Sequence, residues 1–83
     1  MGGKKKKGTD DPSSYKEKGN KNYMSGDYKQ AIENYTKAIE LDHSQAVFYS
    51  NRAAAYIEID ELEKAIEDAD KAISLDANYQ KVC

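Results

Sequence analysis

The sequence predicts an all-α chain built from two helix–turn–helix repeats, and three observations predict it. From Pro12 onward, apolar residues recur three or four positions apart, the period of a helix with one buried face. No segment alternates apolar and polar residues and β-branched residues are scarce, so no strand is predicted. The chain also matches itself when displaced by 34 residues: Tyr15 falls on Tyr49, Ala31-Ile32-Glu33 on Ala65-Ile66-Glu67, Lys37-Ala38-Ile39 on Lys71-Ala72-Ile73, and Leu41-Asp42 on Leu75-Asp76.

Each element follows from local chemistry. Residues Met1 to Asp11 hold three glycines, four lysines and two acids and nothing to bury, so they read as a disordered arm. Pro12 suits a first helical turn, where its missing N–H would have no partner anyway, and the first helix is predicted over Pro12 to Met24. Gly26-Asp27 breaks it, and Asp27 with Gln30 makes a capping-box pattern for a second helix ending near Leu41. That helix buries Tyr28, Ala31, Ile32, Tyr35, Ala38 and Ile39. Asp42-His43-Ser44 is a turn. A third helix is predicted over Gln45 to Ile59, and Asp60 with Glu63 repeats the cap. The fourth runs to about Leu75 with Leu62, Ala65, Ile66, Ala69, Ala72 and Ile73 facing in, and Asp76-Ala77-Asn78 is a second turn.

With 83 residues the chain is one domain at most, near the lower limit for a single unaided core. Only 39% of it is hydrophobic and 34% is charged. One Cys excludes an internal disulfide framework and fits a reducing compartment. No apolar run is long enough to cross a bilayer. The Lys-rich start is not followed by an apolar stretch, so it is not a secretory signal. Met-Gly-Gly lacks the Ser or Thr that N-myristoylation wants where Lys6 stands. The net charge of −2 conceals an asymmetry: Lys4 to Lys7 are basic, whereas from Thr9 onward nine Lys/Arg face fifteen Asp/Glu. An acidic body argues against nucleic-acid binding, and membrane contact by the arm is not expected.

The 34-residue register, with Gly19 over Ala53, Tyr28 over Leu62 and Asp27 over Glu61, resembles the tetratricopeptide repeat. The similarity covers Pro12 to Tyr79. Residues 12–45 would be a first repeat, 46–79 a second, and 80–83 the start of a third repeat or of a capping helix. Departures are Tyr15 and Tyr49 for the usual Trp, Lys18 and Arg52 for the usual Leu, His43 and Ala77 for the turn Pro, and Ala69 where the first repeat has Tyr35. The resemblance implies a right-handed α-solenoid.

Catalysis has little support. His43 lies in a turn without a Ser or Cys partner, and Cys83 has neither a second Cys nor a His beside it. No Gly-rich phosphate loop is present. The acidic run from Glu58 to Asp70 reads as solvated helix surface without the ligand spacing of a calcium loop. No catalytic residue, metal or cofactor is expected.

Binding is better supported. Lys16 and Asn20 are four apart on one face of the first helix, opposite the packing stripe of Tyr15 and Gly19. In a tetratricopeptide stack that face lines a concave groove, and the same register brings Asn51 from the third helix and Lys81 from the start of a fifth. Two lysines and two asparagines suit an anion held by charge-assisted hydrogen bonds. Tyr23, Met24, Val47 and Ile57 are expected nearby for apolar side chains of a peptide. Lys16, Asn20, Asn51 and Lys81 match the carboxylate clamp of co-chaperone tetratricopeptide domains. That resemblance implies a module binding the Glu-Glu-Val-Asp tails of the seventy- and ninety-kilodalton heat-shock chaperones, in the cytoplasm and also in the nucleus. The family's second cation, an Arg four residues after the clamp Lys, would fall two residues beyond Cys83. The alternatives are a general scaffold of the same fold for another partner, or a targeting domain cut from a larger phosphatase or prolyl-isomerase. A solenoid also needs its last apolar face covered, so self-association through the C-terminal end, around Leu62, Ile66, Ala69 and Ile73, is a further expectation.

Overall fold

The computed structural model describes residues 11–80, with side chains from 11 to 76. Four helices follow in order: α1 (Pro12–Met24), α2 (Tyr28–Leu41), α3 (Ala46–Glu58) and α4 (Leu62–Gln80). No strand occurs among the described residues, so the all-α expectation holds. Residues 1–10 of the arm and residues 81–83, with Lys81 and Cys83, lie outside the described residues.

Pro12 occupies the first turn of α1, preceded by Asp11 in an extended conformation. The chain then closes α1 and α3 in the same way, 34 residues apart. Gly26 at φ 87° and Asp60 at φ 67° take the left-handed position just past each helix. The following residue donates its N–H five residues back: Asp27 to the Asn22 carbonyl at 2.8 Å and Glu61 to the Tyr56 carbonyl at 2.9 Å. This is the helix-ending motif that satisfies orphaned carbonyls, and it corrects both predicted capping boxes. Asp27 makes no side-chain cap bond, and Gln30 donates instead to Glu33 Oε1 at 3.1 Å. Asp60 is the C-terminal residue of the α3 motif, while Glu61 immediately precedes α4. An L-residue in the left-handed region costs about 1–2 kcal/mol, part of which the higher backbone entropy of unfolded glycine takes back. Asp60→Gly is therefore expected to stabilise the fold by about 0.5–1 kcal/mol, seen as a higher urea midpoint with an unchanged slope.

The turn between the repeats is built on Asp42. The Ser44 hydroxyl and N–H donate to Asp42 Oδ1 at 2.6 and 3.1 Å, and Gln45 Nε2 donates to Oδ2 at 3.1 Å. These donors, the Ser44 hydroxyl first, hold the Asp42 carboxyl below its ordinary range. Their stabilising effect is present above that ordinary value and is lost as pH falls through the lowered one. The second turn expected at Asp76-Ala77-Asn78 does not form, because α4 continues to Gln80. That stretch contains no Gly or Pro, Ala77 favours helix, and no Ser follows Asp76 by two positions to close the same side-chain turn.

α1 packs on α2, α3 on α4, and α2 on α3. One cluster joins Ala38 and Ile39 to Phe48, Tyr49 and Ala72, with Tyr15 and Leu75 against it. A second joins Ala31 and Tyr35 to Ala55, with Tyr23 and Ile32. Small residues set the approach. A Cβ added at Gly19 would lie 2.6 Å from the Tyr35 ring, so only glycine lets α2 seat that ring. In the second repeat the same pair is Ala53 and Ala69, and no ring fills the space. Of the residues expected to face in from α4, Ala65 and Ala72 are buried, but Leu62, Ile66 and Ile73 are 52%, 60% and 64% exposed. The acidic run is also not all solvated: Asp68 is 5% exposed, held by Arg52.

Candidate functional site

The Gly19–Tyr35 contact creates the site. With no side chain at Gly19, the Tyr35 ring lies against α1 and its hydroxyl reaches the next residue, donating to Asn20 Oδ1 at 2.6 Å. Asn51, on α3, donates its Nδ2 to the same oxygen at 3.5 Å. Three helices therefore meet at one amide oxygen. With Oδ1 taken by two donors, Nδ2 is the group of Asn20 left to serve a ligand. Burial raises the Tyr35 hydroxyl above its ordinary pKa, so it keeps its proton and remains a donor at neutral pH.

Lys16 is one turn before Asn20, roughly 6 Å along α1 at 1.5 Å per residue. It is half-buried. Among the described residues the one ion pair joins Arg52 and Asp68, and none engages Lys16. A lysine without an ion-pair partner among the described residues thus shares the helix face of Asn20 in an acidic protein, and its ammonium would gain a charge-assisted bond from a carboxylate.

The farther end of the same surface has different chemistry. Tyr23 donates its hydroxyl to Glu58 Oε2 at 3.1 Å and sets its ring edge-on to Tyr28 at 5.2 Å. Burial first, and Glu58 second, raise the Tyr23 pKa. Beside Tyr23 on α1, Asn22 Oδ1 accepts from Asn34 Nδ2 of α2 at 2.7 Å. α1 and α3 are tied by two side-chain bonds, Asn51 to Asn20 and Tyr23 to Glu58.

The structure brings Asn20 and Asn51 together across α1 and α3 and joins Tyr23 to Glu58 of α3, while Lys16 stands four residues before Asn20 on α1. Met24, expected beside them, is 83% exposed as the last residue of α1. Val47 and Ile57 line a groove of about 710 Å³ between α3 and α4, with Ala54, Ala69, Ile73 and Asp76 among its other walls. Lys81 lies outside the described residues. Two residues that shape the surface went unassigned in the sequence: Tyr35, read only as core, and Glu58, read only as solvated surface. The signal for Tyr35 was its replacement by Ala69 in the second repeat, at the same register where Asn20 gives way to Ala54. No group of three or more His, Cys, Asp or Glu among the described residues is placed to hold a metal, and none of their helices is long and apolar enough to cross a membrane.

Comparison with known proteins places this geometry in context. Two tetratricopeptide-repeat family models match, one over residues 19–60 and one over residues 46–79. The chain is 48% identical over 58 residues to the Hsp70-Hsp90 organizing protein of Triticum aestivum, a match covering 70% of this chain and 10% of that protein. It is 44% identical over 64 residues to small glutamine-rich tetratricopeptide repeat-containing protein 2 of Saccharomyces cerevisiae, covering 77% and 18%. It is 46% identical over 72 residues to protein unc-45 homolog B of Xenopus tropicalis, covering 83% and 8%. The chain therefore spans a fifth or less of each of these relatives. Among solved structures, the second tetratricopeptide domain of Spaghetti (RPAP3), bound to the HSP90 peptide SRMEEVD, aligns with a TM-score of 0.79 and 41% identity, covering 84% of this chain and 65% of that one.

Proposed function

The chain belongs to the tetratricopeptide-repeat family, and from that premise we propose that it is a peptide-binding module for the acidic C-terminal tails of the seventy- and ninety-kilodalton heat-shock chaperones. In that role it acts as a co-chaperone or adaptor. The observation that carries this reading is the meeting of Asn20 and Asn51 across α1 and α3, with Asn20 Oδ1 already occupied; Lys16 shares the Asn20 face by its four-residue spacing. Those groups supply one positive charge and amide donors, which suits a terminal carboxylate. The relatives named for Hsp70-Hsp90 organization and the neighbour solved with an HSP90 peptide support the same ligand class. Lys81 is proposed as the clamp lysine that joins Lys16, Asn20 and Asn51, and Tyr23, Met24, Val47 and Ile57 as contacts for apolar side chains farther along the ligand. The residues supply binding, and no reaction is assigned to them. The same proposal carries a cytoplasmic location, with a nuclear one beside it.

The test is a titration with labelled SRMEEVD, as free acid and as C-terminal amide. Hydrogen bonds to charged groups are worth about 1.5–3 kcal/mol, so the free acid is expected to bind about tenfold or more tightly than the amide, and added salt should narrow the gap. Equal affinity for the two would overturn the reading and leave a scaffold for another partner.

A further inference from the structure

We propose that Tyr35 is a positioning residue of the peptide site: its buried hydroxyl fixes the Asn20 amide so that Nδ2 is presented to the ligand carboxylate. The inference rests on the peptide-binding reading but adds a residue on α2, a helix that contributes none of the proposed ligand contacts.

Burial and bonding of the Tyr35 hydroxyl are the first line of support. Tyr35 is 2% exposed, so its hydroxyl has left water and needs a partner to offset that cost. A phenylalanine would fill the same space against Gly19 without the cost. The partner is Asn20 Oδ1 at 2.6 Å, the shortest hydrogen bond to that side chain, against 3.5 Å for Asn51. An asparagine amide can rotate to present either oxygen or nitrogen. A hydroxyl can donate or accept, but with Asn51 Nδ2 donating to the same oxygen the Tyr35 proton completes a pair of donors that holds the oxygen inward. Were the amide reversed, its oxygen would face an anionic ligand and repel it.

The internal repeat provides the second line of support. In the register of 34 residues, Asn20 corresponds to Ala54, Tyr35 to Ala69 and Gly19 to Ala53. The second repeat thus lacks the amide, the hydroxyl that would orient it and the glycine that would admit the ring. The three features occur together or not at all. Packing alone does not require this, since the second repeat folds as a helix pair without them.

Tyr35→Phe tests the proposal because it keeps the ring and removes one oxygen. The expected result is a threefold to tenfold weaker affinity for SRMEEVD, the range for one hydrogen bond, with the helical circular-dichroism spectrum retained. In an Asn20→Ala background, adding Tyr35→Phe should change affinity less than twofold, because the group it positions is gone. A similar loss in both backgrounds would mean the hydroxyl acts through the fold, and unchanged affinity in the single variant would mean it does not act on the site. Either result overturns the proposal. A second readout needs neither the peptide nor a variant. In the wild-type chain, NMR should show a slowly exchanging Tyr35 hydroxyl proton with a cross-peak to the Asn20 side chain. If SRMEEVD does not bind the wild-type chain, the peptide reading fails and this readout alone decides whether Tyr35 fixes the Asn20 amide: a rapidly exchanging hydroxyl without a cross-peak to Asn20 would overturn it.

Discussion

Lys16→Glu is expected to weaken binding of the free-acid SRMEEVD peptide about a hundredfold, while the amidated peptide loses little. Two effects combine. Removing the ammonium forfeits a charge-assisted bond of about 1.5–3 kcal/mol. Placing a carboxylate in its stead sets two like charges about 4–6 Å apart, worth roughly 3 kcal/mol at an effective dielectric near 20. Lys16 is only half-buried, so solvent and salt remove much of that repulsion, and about 1 kcal/mol of it is retained. The sum is near 3 kcal/mol, which is about two decades in affinity. The fold should tolerate the change, because Lys16 has no hydrogen-bonding or ion-pair partner among the described residues. A thermal midpoint within a few degrees of the wild type therefore accompanies the expected loss. The check is fluorescence anisotropy at two salt concentrations, and an affinity within threefold of the wild type would remove Lys16 from the site.

The helices of this fold were legible because their signals are local and repeated. The 3.6-residue period, the Pro12 start, the Gly26 break and the 34-residue register placed α1, α2 and α3 to within one or two residues of where they stand. What failed was chemistry that depends on neighbours. Asp60 looks like an N-cap in sequence, since Asp followed by Glu63 is a capping pattern. In the fold the α3 ending needs a left-handed residue at that point, and Asp is among the few non-glycine residues that tolerate it. The end of α4 was misplaced for a related reason: Asp76-Ala77-Asn78 aligns with the first turn, but alignment does not reproduce the Ser44 and Gln45 donors that close it.

The site divides in the same way. Lys16 and Asn20 are four apart on one helix, so their common face could be read directly. Asn51 followed from the repeat register. The hydroxyl of Tyr35 could not be read, because hydrophobic periodicity registers a ring and is blind to the oxygen at its end. Asp68 was hidden for the opposite reason. Its position among Glu67, Asp70 and Lys71 is that of a solvated face, and only the tertiary approach of Arg52 makes it part of the interior.

That buried pair has the largest expected effect on stability. Arg52 Nε and Nη2 donate to the two Asp68 oxygens at 2.7 and 2.8 Å, and Nη1 donates to Thr36 Oγ1 at 3.0 Å. One guanidinium therefore ties α2, α3 and α4, within cation–π range of Tyr49 and Tyr56 at 5.9 and 5.7 Å from their ring centres. The Asp68 bonds raise the Arg52 pKa further, against the opposing effect of burial, so the charge persists at every pH the protein meets. Asp68→Ala leaves that charge inside with Thr36 alone to accept from it. Breaking one side of a buried pair costs about 3–5 kcal/mol, and Arg52, with 18% of its side chain exposed, belongs at the lower end. Since the stability of a chain this small is about 5 kcal/mol, a loss of about 3 kcal/mol leaves a marginal fold with a much lower urea midpoint. The origin of the loss is separable from the loss itself. Replacing both partners, Arg52→Met with Asp68→Leu, removes the stranded charge and is expected to restore most of the stability, because apolar side chains of similar volume often match a buried ion pair. If Asp68→Ala instead unfolds within about 0.5 kcal/mol of the wild type, the pair contributes nothing that water cannot replace, and the three-helix tie is geometric only.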